Sequence, residues 1–208
     1  TTEIYTLSLH DALPISLLFP LLKASMSPDT EVRAAAFRAL GHQEGNRQIV
    51  QLLVGAASGE NAESAVARES LRRLEGPEVD TDLMAQLDQM SVAMRAEAVR
   101  GLGARGVTNA IPRLVKALGD ANAPIRFAAL ESLGQLGAEE QVRVLLDHLS
   151  QAGAAAEQEA AARAVLAIAR RIASSSPSPA RAAAEKVAAS MSDGSIQSEA
   201  KAILDAVQ

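Results

Sequence analysis

The chain has 208 residues, carries a formal net charge of −5 and contains no cysteine. That excludes a disulfide scaffold, a thiolate zinc site and a cysteine nucleophile, and it argues against a generic polyanion binder, which would be basic. Apolar residues make up 48% of the chain but aromatics only 2%, so a core of any size must be built from Ala and Leu, and no apolar run is long enough to cross a bilayer.

The first fifteen residues, Thr1 to Ile15, read as foreign. They hold the only tyrosine (Tyr5), no Lys or Arg, and none of the periodicity that follows. The string corresponds residue by residue to the conceptual translation of a common short-read sequencing adapter, whose last base would open the codon of Ser16. Such segments are set aside in fold reasoning. Removing Glu3 and Asp11 leaves 23 acidic against 20 basic residues, net −3. The expectation is that 16–208 is the native part and the C-terminal portion of a longer, bacterial or metagenomic protein. The cut start is then expected to expose apolar surface at Leu17, Leu18, Phe19 and Leu21. Compartment stays open: cytoplasmic and extracytoplasmic placements both fit.

From Ser16 onward two elements alternate. Phe19 to Met26 is a first helix with Leu22 and Met26 on one face. Ser27-Pro28-Asp29 is a turn with a capping residue, and Val32-Arg33-Ala34-Ala35-Ala36-Phe37-Arg38-Ala39-Leu40-Gly41 is a second helix. Next come Ile49, Leu52, Leu53 and Ala56, then Val66, Ser70 and Leu74. Leu83, Leu87 and Met90 precede Met94-Arg95-Ala96-Glu97-Ala98-Val99-Arg100-Gly101-Leu102-Gly103. Ile111 to Asp120 precedes Ile125-Arg126-Phe127-Ala128-Ala129-Leu130-Glu131-Ser132-Leu133-Gly134. Val142, Leu145, Leu146 and Leu149 precede Gln158, Ala162 and Leu166, and Ile196, Ala200 and Leu204 close the series. An apolar start, a small residue at +4 and Leu at +8 lie on one helix face. The second helices start at 32, 66, 94, 125, 158 and 196, a mean interval near 33, which marks a solenoid. Ala36, Ala98, Ala129, Ala162 and Ala200 would let stacked helices approach closely. Ser174 to Pro179 reads as a stretched loop. No segment alternates with period two, so no strand is expected.

This pattern resembles the HEAT-repeat family, in the short form similar to phycobilin-lyase-type repeats. The residues carrying the resemblance are IPRLVKALGD-ANAPIRFAALESLGQLG, 111–137, with weaker cover over 16–208. The landmarks of tetratricopeptide and ankyrin repeats are absent. The resemblance implies an all-α, right-handed, armadillo-like α-solenoid of about six helix pairs. It also implies a structural role for the arginine at +1, Arg33, Arg95 and Arg126, bridging to an acidic residue of an adjoining turn such as Asp29 or Asp120. Ala67 in the second repeat and Gln158-Glu159 in the fifth depart from that pattern.

Little in the sequence carries chemistry. His42 follows a helix-ending Gly41, where a cation suits the helix dipole, and His148 reads as a solvated surface residue. Neither has ligand spacing. Gly101-Leu102-Gly103-Ala104-Arg105-Gly106 matches G-x-G-x-x-G by count, but it follows a helix rather than a strand. Phe19, Phe37 and Phe127 read as packing residues. No catalytic, cofactor-binding or metal-binding residue is assigned. The +6 position holds Arg38, Arg72 and Arg100, then Glu131. The arginines could form a stripe that meets an acidic partner; the alternative is an ordinary solvated face, which the interrupting Glu131 favours.

The expected function is therefore a non-catalytic protein–protein interaction or scaffold module, without cofactor, binding a protein rather than nucleic acid. The alternatives are an accessory subunit similar to bilin lyases, or the HEAT segment of a larger enzyme. A glycosylase-like DNA-binding solenoid would need a basic, aromatic-bearing groove, which this composition does not provide.

Overall fold

The computed structural model describes residues 18–207; the adapter-like segment 1–15, Ser16 and Leu17 lie outside them. Among the described residues, twelve α-helices follow one another in pairs. The first pair is α1, Leu18–Ala24, and α2, Thr30–Leu40; the second is α3, Arg47–Ala57, and α4, Ala62–Arg73. In the third, α5, Val79–Gln86, runs into a 3-10 turn at Leu87–Gln89 before α6, Val92–Ala104. A second 3-10 turn, Thr108–Ala110, leads into α7, Ile111–Ala117, and then α8, Ala123–Leu136. The last two pairs are α9, Glu139–Gln151, with α10, Ala155–Ile172, and α11, Pro177–Ser190, with α12, Gly194–Ala206. Among the described residues there is no strand, only an isolated bridge between Glu44 and Glu75, and no helix is long and apolar enough to cross a membrane.

Local chemistry sets the boundaries. Asp29 caps α2, accepting from the backbone N–H groups of Glu31 at 2.8 Å and Val32 at 3.3 Å; Asn46 and Asp193 do the same for α3 and α12. These side chains satisfy amides that have no partner inside the helix. Gly106 sits at φ +77°, a conformation that only glycine adopts at little cost, and it turns the chain out of α6. The stretch 174–179 is shorter as a loop than its composition suggests. Pro177 to Pro179 belong to the first turn of α11, where a missing N–H costs nothing and the fixed φ suits a helix.

The chain divides after Asp82 into two compact units. In the first, α1 packs on α2, α3 on α4, and α2 on α4. In the second, α7 packs on α8, α9 on α10, and α11 on α12, while α6, α8, α10 and α12 stack in succession and α9 lies on α11. Within each unit, each pair thus covers the apolar face of the next, as the pairs of a solenoid do.

The small residues at the stacking positions are buried as the spacing predicts: Ala36, Ala98, Ala129, Ala162 and Ala200 all lie in the core. Glycine draws the helices closer still. A Cβ on Gly103 would stand 2.7 Å from the Cβ and 2.8 Å from the Cα of Ser132, so α6 and α8 touch backbone to backbone there. Ser132 uses that proximity to donate its hydroxyl to the Val99 carbonyl at 2.9 Å. Larger side chains fill the rest, among them Leu40, Leu53, Leu102, Leu114, Leu133 and Leu145, each contributing about 1.5–3 kcal/mol by burial.

The first pair departs from the expected pattern. Val32, an apolar start in the sequence, is 41% exposed, Met26 is 82% exposed and Phe19 76%. Phe19 is therefore not a packing residue, whereas Phe37 is buried. Leu18 and Leu21, expected at the surface, are half-buried. The cause is one-sided packing: α1 has no buried residue and rests on α2.

Candidate functional site

The +1 arginines donate chiefly to backbone carbonyls, and of the two suggested acids Asp120 lies beside one of them, Arg95. Arg33 donates to the Ser27 carbonyl at 2.8 Å and the Pro28 carbonyl at 3.0 Å; Arg126 donates to those of Asp120 at 2.9 Å and Ala121 at 3.1 Å. Arg95 reaches the carbonyls of Leu87 at 2.9 Å and Met90 at 3.5 Å. The acceptors are carbonyls of the connection between the two helices of each pair, where the backbone has no ladder partner. Where the arginine is missing, a neighbour replaces it. Arg68 bonds the Ala57 carbonyl at 2.8 Å, Gln158 that of Ala152 at 2.7 Å, and Gln197 those of Ala188 and Met191. All six pairs are closed by the same kind of clasp, including those that depart from the arginine pattern.

Two of these arginines also reach forward to the next pair. Arg33 Nε and Nη2 bind Glu63 Oε1 at 2.8 and 2.6 Å, and Arg126 Nε and Nη2 bind Glu157 Oε1 and Oε2, each at 2.7 Å. Asp29 is not Arg33's acid partner, because it is spent on the helix cap; Asp120 instead faces Arg95, 3.5 Å away. Glu157 is buried and also bonds His148 Nε2 at 2.8 Å. His148, expected to be solvated, is thus mostly buried and tied into an Arg126–Glu157–His148 cluster. The Arg126 guanidinium holds the Glu157 carboxyl below its ordinary range, against the opposing effect of burial and with further help from His148.

This cluster lines a cleft of about 500 Å³ between α7, α8, α9 and α10, together with Val144, Asp147 and Gln151. Arg126 and His148 are each bonded to Glu157; Asp147 also lines the cleft. Among the described residues no three His, Asp or Glu side chains converge in a metal-binding group.

The +6 arginines differ in their surroundings. Arg72 is paired with Glu69 through Nε at 2.8 Å and Nη2 at 2.6 Å, and Arg73 Nε lies 2.6 Å from the same carboxylate. These guanidinium groups, Arg72 first, hold Glu69 down to about 2. Arg100 bonds Glu97 at 2.8 Å and Glu131 at 3.2 Å. Arg38 is exposed and has no hydrogen bond or ion pair among the described residues. Sequence reasoning missed Glu63 and Glu157 because each meets its arginine about one repeat away; acidic residues in the first turn of α4 and α10 were the available signal.

The family model described as HEAT repeats matches residues 79–167, which run from α5 into α10. No curated protein matches the chain. Among solved structures, it is similar to a chain of the complex of CpcE and CpcF of phycocyanin lyase from Nostoc sp. PCC7120, with a TM-score of 0.59 at 20% identity, covering 76% of this chain and 99% of that one. A designed armadillo repeat protein in complex with the peptide (KR)4 gives a TM-score of 0.49 at 20% identity, covering 91% and 98% of the two chains.

Proposed function

We propose that this chain is a non-catalytic HEAT-repeat module that docks a protein partner, and that it works without a cofactor or metal. The observation that carries the reading is the state of three charged groups in the cleft between α7, α8, α9 and α10. Arg126, Glu157 and His148 bond one another as staples between helices, so their chemistry is committed to holding the repeats. A general acid or base needs a group within reach of substrate and tuned to the reaction; a docking module needs a rigid surface and side chains with unused bonding capacity. Arg38 supplies the latter in the first unit. The reading holds whether the chain acts alone or as the HEAT segment of a larger protein. Photo-crosslinking amino acids placed at Arg38, Arg72 and Arg100 test it. The expected result is one discrete adduct from these positions and none from the control position Arg143; equal labelling at both would refute it.

The likeness to the phycocyanin lyase complex favours a second reading, an accessory subunit that handles a linear tetrapyrrole. Adding such a chromophore to the purified chain decides it: a bound bilin changes its visible absorption spectrum, and an unchanged spectrum removes the reading.

A further inference from the structure

We propose that the cleft between α2 and α4 is the docking point for an acidic peptide segment of that partner, with Asp or Glu carboxylates entering against Arg38. The inference rests on the module reading and adds the site and the partner's chemistry. The cleft has a volume of about 350 Å³ and a floor of small side chains, Gly41, Ala65, Val66 and Ser70. Arg38, His42, Glu69 and Arg73 line the remainder.

The repeat itself supplies a control. Shifting the sequence by 62 positions maps this cleft onto the α6/α8 pair: Arg38 onto Arg100, Gly41 onto Gly103, Glu69 onto Glu131 and Ser70 onto Ser132. The close approach is the same, since a Cβ on Gly41 or on Gly103 would lie 2.7 Å from the Cβ of the facing serine. In the α6/α8 pair the arginine crosses to the glutamate, Arg100 to Glu131 at 3.2 Å. In the α2/α4 pair it does not, because Glu69 is held by Arg72 and Arg73 of its own helix.

The differences between the two clefts all act in one direction. Where α6/α8 has Ala104 and Gln135, α2/α4 has His42 and Arg73; where α8 has Phe127, α4 has Ala65. Cations are added and bulk is removed. Helix-end dipoles alone do not account for the cations, because the equivalent ends of α6 and α8 lack them. Two guanidinium groups, Arg38 and Arg73, then line the cleft with one carboxylate, Glu69, in a chain whose net charge is −5. A carboxylate side chain matches an unpaired guanidinium in charge and in fork geometry. Base stacking would need aromatic side chains, and none lines this cleft.

The probe is a fluorescein-labelled peptide of repeated Glu-Glu-Ala triplets, titrated with the full chain at low salt and read by fluorescence anisotropy. The expected result is saturable binding that weakens as salt is added, with a Gln-Gln-Ala peptide not bound. Arg38→Gln is expected to raise Kd about tenfold, the usual loss for a charge-assisted bond. Ala65→Phe, which copies the α6/α8 arrangement, should close the cleft with a similar loss while circular dichroism stays unchanged. Absence of binding, equal binding of the neutral peptide, or Kd values that neither variant moves would each overturn the assignment. So would displacement of the peptide by a single-stranded oligonucleotide that binds more tightly. The module reading survives such a failure if crosslinks form from Arg72 or Arg100, and falls with it if none form.

Discussion

Glu157 concentrates the energetics of the fold on one side chain. A buried carboxylate is costly to desolvate and is kept only where its partners compensate; here Arg126 supplies two bonds and His148 a third. Glu157→Gln should leave the Arg126 guanidinium without its counter-charge and cost about 3 kcal/mol in urea unfolding. The pH dependence follows in sign. Because the folded pKa lies below its ordinary value of 4.5, the unfolded chain takes up the proton first. The stabilisation is complete above that value and is lost as pH falls below it and through the folded pKa. The melting temperature of the wild type should therefore fall more steeply under acid than that of Glu157→Gln, and parallel curves would show that Glu157 contributes nothing. Sequence reasoning read Arg126 as structural and His148 as solvated, whereas both bond Glu157. The last turn of α9, the connection 152–154 and the start of α10 separate His148 from Glu157 in the chain, and only the folding back of the pair brings them together.

At the level of the helix, small residues decide how near neighbours come. Gly103 permits backbone contact with Ser132, so Gly103→Ala forces α6 and α8 apart and should cost about 1–3 kcal/mol in denaturant titration. Gly153 has nothing within 4 Å of an added Cβ and no positive φ; Gly153→Ala should be within about 0.5 kcal/mol of the wild type. Equal costs would mean that the contact is not what limits the spacing. The elements most legible in the sequence, α2, α6 and α8, carry this small-residue code. α1 was the least legible: its Leu22 and Met26 copy the spacing of Leu114 and Leu118, but Met26 is 82% exposed while Leu114 and Leu118 are buried. Spacing records which residues share a face; whether a neighbour covers that face depends on the whole array.

For the molecule as a whole, the alternation of elements and the all-helical architecture followed from periodicity, as did the burial of the +4 alanines. The clasps did not, because backbone carbonyls leave no mark in a sequence and Arg68, Gln158 and Gln197 satisfy them as Arg33, Arg95 and Arg126 do. A solenoid's stability is close to a sum over pairs and their interfaces, so removal of an end pair should weaken the array without abolishing it. A chain ending at Ser176 loses α11 and α12, both of which pack on α10. It should keep a helical circular dichroism spectrum, melt at lower temperature and bind the dye ANS along the uncovered face of α10. Loss of all helical signal would show that the second unit folds only when complete.

The ties between repeats have a further consequence for how the polypeptide is made. Arg126 to Glu157 spans 31 positions, Ser132 to Val99 spans 33, and Arg170 to Glu199 spans 29. Closing loops of such moderate and even length carries a similar, modest entropic penalty each time, and topologies dominated by near-neighbour contacts fold quickly. A nascent chain leaving the ribosome can settle each hairpin against the one before it while synthesis continues. The long wait for a distant strand partner, during which sticky surface lies open to aggregation, is built out of the design.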